Sequence, residues 1–322
     1  MNVGILGAGN IAGTMARTLN GMNDATAYAV AARDLERAQK FANEYQMEKA
    51  YGSYEEMLAD DKVDLVYIAT PHSHHLEHGK LCISYGKPVL CEKSFTANAA
   101  QARELLDYAK EKGVFITEAI WTRYMPSRKI ITDILESGEL GDIHMLSANL
   151  GYCISHKERL VKPELAGGAL LDVGIYPLNF ASMFFGNDIV NITSACVKHE
   201  TGVDGQASMI LTYKDGRMAT LHTGMYAASE QYGIIYGSKG YLIAYNINNI
   251  DKIDVFSSDR KLIRTIEVPE QITGYEYEVQ ACIKALEEGK TECEEMPHSE
   301  TIQMMEWMDT LREQWGIRYP FE

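Results

Sequence analysis

The chain is 322 residues long, which at roughly 150 residues per domain suggests two domains, each long enough to bury a core. Hydrophobic residues make up 46% and charged residues 23%, the balance of a folded globular protein and not of a disordered one. Lys and Arg number 30 against 45 Asp and Glu, so the net charge is −15, and with no basic run to meet a phosphate backbone, nucleic acid is not an expected partner.

No apolar run is expected to reach the length a bilayer requires. The opening MNVGILGAGN lacks the charged-then-apolar order of a secretion signal. Six cysteines (Cys82, Cys91, Cys153, Cys196, Cys282, Cys293) are scattered with no C-x-x-C pair, which argues against a zinc site and a disulfide scaffold. A cytoplasmic location is expected.

In chain order, residues 2–6 read as a strand and 11–19 as a helix. Residues 25–32 read as a second strand, followed by a helix over 35–45 rich in Ala, Glu, Arg and Lys. DLVYIAT (64–70), PVLC (88–91) and VFIT (114–117) are further strands, with helices at 73–85 and 98–112 between them. Runs apolar throughout suit strands buried on both faces of a parallel sheet. Repeated strand–helix units give a doubly wound fold with right-handed crossovers. Residues 1–118 are therefore expected to form an α/β domain of this kind.

The pattern changes after Glu118. A short helix over 126–136 is closed by Gly138 and Gly141. Beyond it lie alternating or β-branched segments at 143–154, 190–199, 207–213, 218–225, 232–236, 241–245, 250–256 and 262–268, with KDGR and GSKG as turns between some of them. Helices interrupt at 167–185, 275–288 and 299–314. Residues 119–322 are expected to form an α+β domain: an open, mostly antiparallel sheet with helices on one face. Its other face needs solvent or a cover, and dimerisation is one solution.

Gly7-Ala8-Gly9-Asn10-Ile11-Ala12 follows the first strand and opens the first helix, fitting G-x-G-x-x-G/A in the context that gives the motif meaning. Gly7 permits the tight turn, Gly9 lets backbone approach a pyrophosphate, and Ala12 is small enough for close helix–sheet packing. The amide groups around Asn10 and Ile11 belong to a helix N-terminus that favours anions. The second strand ends Ala31-Ala32-Arg33-Asp34, with no carboxylate at its tip for a ribose 2′-hydroxyl. Arg33 suits a 2′-phosphate, so NADP is favoured over NAD, and Asp34 reads as an N-cap for the following helix.

Two further stretches fall at strand ends, TPHSHH from Thr70 and CEKS from Cys91. With GAGNIA, with EAIWTRYMP from Glu118 and with GGALLDVGIYPLN from Gly167, they resemble the glucose–fructose oxidoreductase and inositol dehydrogenase (Gfo/Idh/MocA) family, most of all its dimeric dihydrodiol dehydrogenase branch. The resemblance implies an N-terminal Rossmann domain and an oxidoreductase acting on the C–OH or C=O group of a sugar, polyol or cyclic diol. It also implies a substrate-binding C-terminal domain that serves dimerisation, and a homodimer or higher homo-oligomer formed through the C-terminal sheet. Two positions differ from the family pattern T-P-N-x-x-H and E-K-P: His72 replaces asparagine and Ser94 replaces proline.

By the same resemblance Lys93 is the central catalytic residue, joined by Tyr176 and Asp172. An ammonium at a strand end hydrogen-bonds a substrate oxygen and favours ionisation of a nearby phenol. Asp172 lies four residues before Tyr176, on the same face if both are helical. Thr70, Pro71, His72, His75, Glu92, Lys93, Trp121 and Arg123 are implied at the cofactor. His72, His74, His75 and His78 invite a metal reading, but the resemblance supplies none, so no metal is expected. A non-catalytic nucleotide-binding sensor of the same fold and an NAD-specific inositol-type dehydrogenase stay open as alternatives.

Overall fold

The computed structural model describes residues 1–322. The chain forms two compact units, one made of Met1–Tyr124 with Gln271–Met305 and the other of Met125–Glu270 with Glu306–Glu322.

In the first unit six strands, β1 (Asn2–Leu6), β2 (Thr26–Ala31), β3 (Lys49–Tyr51), β4 (Leu65–Ile68), β5 (Val89–Glu92) and β6 (Ile116–Ala119), form a wholly parallel sheet in the order β3-β2-β1-β4-β5-β6. Every residue of β4, β5 and β6 is buried, the polar Glu92, Thr117 and Glu118 among them, as strands covered on both faces of a parallel sheet are. The order reverses at β1, so the carboxyl ends of β1 and β4 flank the crevice where such sheets bind ligands. Helix starts follow their caps: Asp34 accepts from Glu36 N–H, and Asn98 accepts from Gln101 N–H. β3 and the five-residue helix Tyr54–Leu58 have no counterpart in the sequence reading. Three and five residues are too few to show a period; β3 is placed by pairing with Ala29–Ala31 and by the shared hydrogen bonds of Tyr28 and Tyr51 to Asp60.

The second unit holds β7 (Ile143–Gly151), β8 (Ile189–Lys198), β9 (Asp204–Tyr213), β10 (Met218–Gly224), β11 (Gly233–Gly237), β12 (Gly240–Tyr245), β13 (Lys252–Ser257) and β14 (Leu262–Glu267). They form one sheet in the order β14-β13-β12-β11-β7-β10-β9-β8, antiparallel except where β7 and β10 run parallel. Alternation sets its faces. Leu146, Ala148, Met209, Leu211, Ala219 and Leu221 are buried, while Met145, Ile210 and Met218 on the opposite face are 51%, 39% and 44% exposed. On that open face the register aligns Phe256, Tyr241, Tyr236, Met145, Met218 and Thr212 in one row across six strands.

One expectation fails here. Pro163–Phe185 is long and apolar enough, by length and composition, to cross a membrane, yet 89% of its most apolar window is buried within the protein. Its greasiness belongs to the core: Ile175–Phe185 is buried nearly all round. The stretch is also not a continuous α-helix. Leu170–Gly174 winds as a π-helix before the α-helix begins at Ile175.

Candidate functional site

At the end of β1, Gly7 sits at φ +107°, and a Cβ there would lie 3.0 Å from the Ala69 carbonyl oxygen. The turn has to be glycine. Gly9 caps helix Asn10–Gly21 with no side-chain hydrogen bond, and a Cβ at Gly9 would meet nothing within 4 Å. The space beside the Gly9 backbone, at the start of a helix whose first amides lack intrahelical partners, suits a phosphate. Ala12 is fully buried, as close packing requires. Asn10 is exposed and Ile11 half-buried.

Arg33 follows β2 and is exposed. The positive charges of Arg33 and Arg37 both bear on the Tyr54 phenol, opposing the upward push of burial on it. Arg37 Nη2 donates to the Ala8 carbonyl at 2.8 Å, so a second guanidinium reaches the glycine turn. Sequence reasoning missed Arg37; its place in the first turns of the helix after β2 was the available signal. His78, its Nδ1 2.9 Å from Thr70 Oγ1, is pushed down to about 4, chiefly by burial and then by the charges of His74, His75 and Arg33.

The loops after β4 and β5 are tied by His75. Its Nε2 lies 2.7 Å from the Thr70 carbonyl and its Nδ1 2.9 Å from the Ser94 carbonyl. Burial holds the ring below its ordinary value, and a ring nitrogen that carries a proton donates to the carbonyl beside it. Pro71 leads into the short turn His72–His74, where His72 is buried. Lys93 is half-buried at the carboxyl end of β5, and the Lys93–Ser94 peptide bond is cis. The Lys93 N–H donates to Glu92 Oε2 at 3.2 Å, the Tyr67 hydroxyl donates to Glu92 Oε1, and the Phe95 N–H donates to Glu118 Oε1 at 3.1 Å.

Beyond β6, the Trp121 ring stacks on Tyr275 with centroids 4.1 Å apart. Arg123 is 2% exposed and pairs with Glu300 at 2.9 Å. The Glu118 carboxyl is pushed up to about 7 by burial, against hydrogen bonds from Thr301 and Phe95 and the charge of Arg123. Tyr275 and Glu300 were not legible as part of this neighbourhood, because they lie some 150 or more residues along the chain.

In the second unit Asp172 lies in the π-helical turn and Tyr176 at the start of the α-helix, each 8% exposed. Gly168, at φ +119°, has no space for a Cβ, which would fall on Asp204. Asp204 Oδ2 accepts from Leu170 N–H at 2.5 Å, and the Tyr319 hydroxyl donates to the Gly167 carbonyl at 2.8 Å. Both oxygens of Asp172 accept from Arg159. Arg159 and Asp204 carry no sequence pattern that marks them. No group of three or more His, Cys, Asp or Glu side chains is arranged to hold a metal ion.

Residues 1–119 match the model of the Gfo/Idh/MocA oxidoreductase family with an NAD-binding Rossmann fold, and residues 129–243 match that family's C-terminal domain. The chain is 34% identical to a trans-1,2-dihydrobenzene-1,2-diol dehydrogenase from Mus musculus over 98% of its own length and 97% of that enzyme. It is 35% identical to the Homo sapiens enzyme of the same name over 91% of this chain and 89% of that one. A 3-ketoreductase from Actinomadura kijaniata, solved with NADP and TDP-benzene, aligns with a TM-score of 0.88 at 24% identity over 97% of each chain.

Proposed function

Because the chain belongs to the Gfo/Idh/MocA family of NAD(P)-dependent oxidoreductases, we propose that it exchanges hydride between NADP and the C–OH or C=O carbon of a cyclic diol, sugar or polyol, with Lys93 and Tyr176 handling the proton. The observation that carries this reading is the full-length likeness to dihydrodiol dehydrogenases at 34% identity.

The uncapped, open glycine turn fits a pyrophosphate. Arg33 and Arg37, with no acid at the tip of β2, fit a 2′-phosphate better than a bare ribose hydroxyl. Bound there, NADP supplies or accepts the hydride. Lys93 donates a hydrogen bond to the substrate oxygen and stabilises the negative charge that develops on it. Tyr176 exchanges the hydroxyl proton. A free phenol titrates near ~10, so it needs a cation such as the Lys93 ammonium to work near neutrality. Asp172, clamped by Arg159, holds the backbone turn that leads to Tyr176.

The open face of the eight-stranded sheet supports a homodimer, since its row of aromatic and methionine side chains forms an apolar stripe of the kind that partners cover. The acidic charge, with no basic run, fits small-molecule substrates better than nucleic acid.

The experiment is a screen of NADP and NAD with trans-1,2-dihydrobenzene-1,2-diol, aldoses and inositols, read by reduced-nicotinamide absorbance. Turnover with NADP and a diol or sugar is expected. No absorbance change with any of them overturns the reading in favour of a sensor, and turnover with NAD alone assigns the inositol-type alternative.

A further inference from the structure

The side of the parallel sheet covered by helix Glu276–Glu287 carries a layer of buried polar groups where apolar side chains are the rule for such folds. Tyr67 is fully buried in the middle of β4. In the β4–β5 register it pairs with Leu90, which puts Glu92, two residues on, on the same face and within diagonal reach. Its hydroxyl donates to Glu92 Oε1, and the other oxygen of Glu92 accepts from the Lys93 N–H at 3.2 Å. Thr117 lies opposite Leu90 on β6, and its hydroxyl meets that of Tyr124 at 3.0 Å. Glu278 on the covering helix is fully buried with neither carboxyl oxygen hydrogen-bonded, and burial together with the neighbouring Glu92 holds its carboxyl well above the ordinary carboxylate range.

Polar groups in such a place are retained against a substantial desolvation cost. Two of them, Tyr67 and Glu92, lead to the strand end that carries Lys93. A donor on each oxygen of a carboxylate holds its plane. Tyr67 supplies the donor that is anchored in the rigid sheet, and the Lys93 backbone supplies the other. Burial drives the Tyr67 phenol well above its ordinary value, so it stays a donor at every working pH.

We propose that Tyr67 is a positioning residue for the reaction, fixing the Glu92 carboxylate and through it the backbone from which the Lys93 ammonium is aimed. This rests on the reading of Lys93 as a catalytic group. Ser94 follows the lysine where a ring would otherwise limit the chain, and side-chain hydrogen bonds bear on the backbone at both residues: Glu92 on the Lys93 N–H, and His75 near the Ser94 carbonyl. Tyr67 is fully buried in the sheet and acts through Glu92.

The test compares Tyr67→Phe, which removes one oxygen and keeps the ring, with Glu92→Gln, the double variant and Lys93→Ala. All are assayed for NADP reduction with trans-1,2-dihydrobenzene-1,2-diol. Tyr67→Phe is expected to lower kcat at least about tenfold, as small misplacements of a catalytic group do, with the KM for NADP unchanged. The double variant is expected to lose no more than Glu92→Gln alone, because Tyr67 acts through Glu92. A Tyr67→Phe enzyme with wild-type kcat overturns the proposal, as does a double variant whose loss is the product of the single losses. If Tyr67→Phe does not fold, Glu92→Gln, with its size and one acceptor oxygen kept, carries the test: a tenfold fall in kcat at constant KM supports the proposal and wild-type kcat overturns it. Activity retained in Lys93→Ala removes the reading beneath the proposal, whereas an inactive Lys93→Ala beside a fully active Tyr67→Phe sinks the proposal alone.

Discussion

Arg159 grips Asp172 with both arms of its guanidinium, Nη1 to Oδ1 at 2.8 Å and Nη2 to Oδ2 at 3.1 Å. The carboxylate is 8% exposed in the most apolar helical stretch of the chain, and the forked pair balances its charge and fixes its plane. The arginine comes from the short helix Glu158–Val161, so that helix is bound to the turn that precedes Tyr176.

Arg159→Ala is expected to cost about 1–2 kcal/mol of stability, the guanidinium being half-exposed and therefore screened, and to lower kcat/KM about tenfold through loss of orientation. Arg159→Lys restores the charge without the fork and is expected to recover only part of the loss. Denaturant unfolding and steady-state kinetics on the two variants check both.

Arg33→Ala is expected to weaken NADP binding roughly tenfold or more, the worth of a charge-assisted hydrogen bond, and to leave NAD binding unchanged. Arg37→Ala is expected to act in the same direction and to disturb the glycine turn through the lost bond to Ala8. Titration of each variant with both cofactors is the measurement. Equal losses for NAD and NADP at Arg33 contradict the 2′-phosphate assignment.

Glu118 makes a pH prediction whose sign follows from burial. Its carboxyl rises from 4.5 to about 7 in the folded protein. Between those values the folded state keeps a proton that the unfolded chain has lost. This contribution to stability is therefore full below pH 4.5 and is lost as pH rises through about 7. Glu118→Gln keeps the acceptor for Phe95 N–H and abolishes the titration. It is expected to be more stable than wild type by roughly 3 kcal/mol above pH 7 and equal to it in acid. Urea unfolding of the two proteins across that range decides; a difference that does not change with pH contradicts it.

The open sheet face gives a prediction about assembly. Met145 and Met218 are paired neighbours at the centre of its apolar row. Glutamate at both places four buried charges in an interface formed by two copies, a change worth several kcal/mol. The wild type is expected to sediment as a dimer and the double variant as a monomer. A monomeric wild type at micromolar concentration contradicts the proposal.

Much of the fold was legible because its signals are local. G-x-G-x-x-A between a strand and a helix, apolar runs in the parallel strands and alternation in the antiparallel ones each follow from a short window of sequence. Asp34 is the N-cap it was expected to be, since capping is settled within three residues. What was not legible is non-local. Arg159 is an ordinary surface arginine until the chain brings it to Asp172. The segment Gln271–Met305 returns to the first unit and delivers Tyr275, Glu278 and Glu300 to the strand ends, with nothing in its own composition to announce it. Pro163–Phe185 is long and apolar enough, by length and composition, to cross a membrane, and its burial is decided by the rest of the unit that packs around it. The π-helical turn has no local pattern to announce it, and the groups that hydrogen-bond the chain at its entry, Asp204 and Tyr319, come from elsewhere in the unit.

The most direct test of the proton-handling role of Lys93 and Tyr176 is single-turnover oxidation of trans-1,2-dihydrobenzene-1,2-diol by NADP in the wild type, Lys93→Ala and Tyr176→Phe. Each substitution is expected to slow the chemical step by at least about a hundredfold, the usual worth of a positioned acid–base group, while NADP still binds. A chemical step at the wild-type rate in either variant contradicts the account.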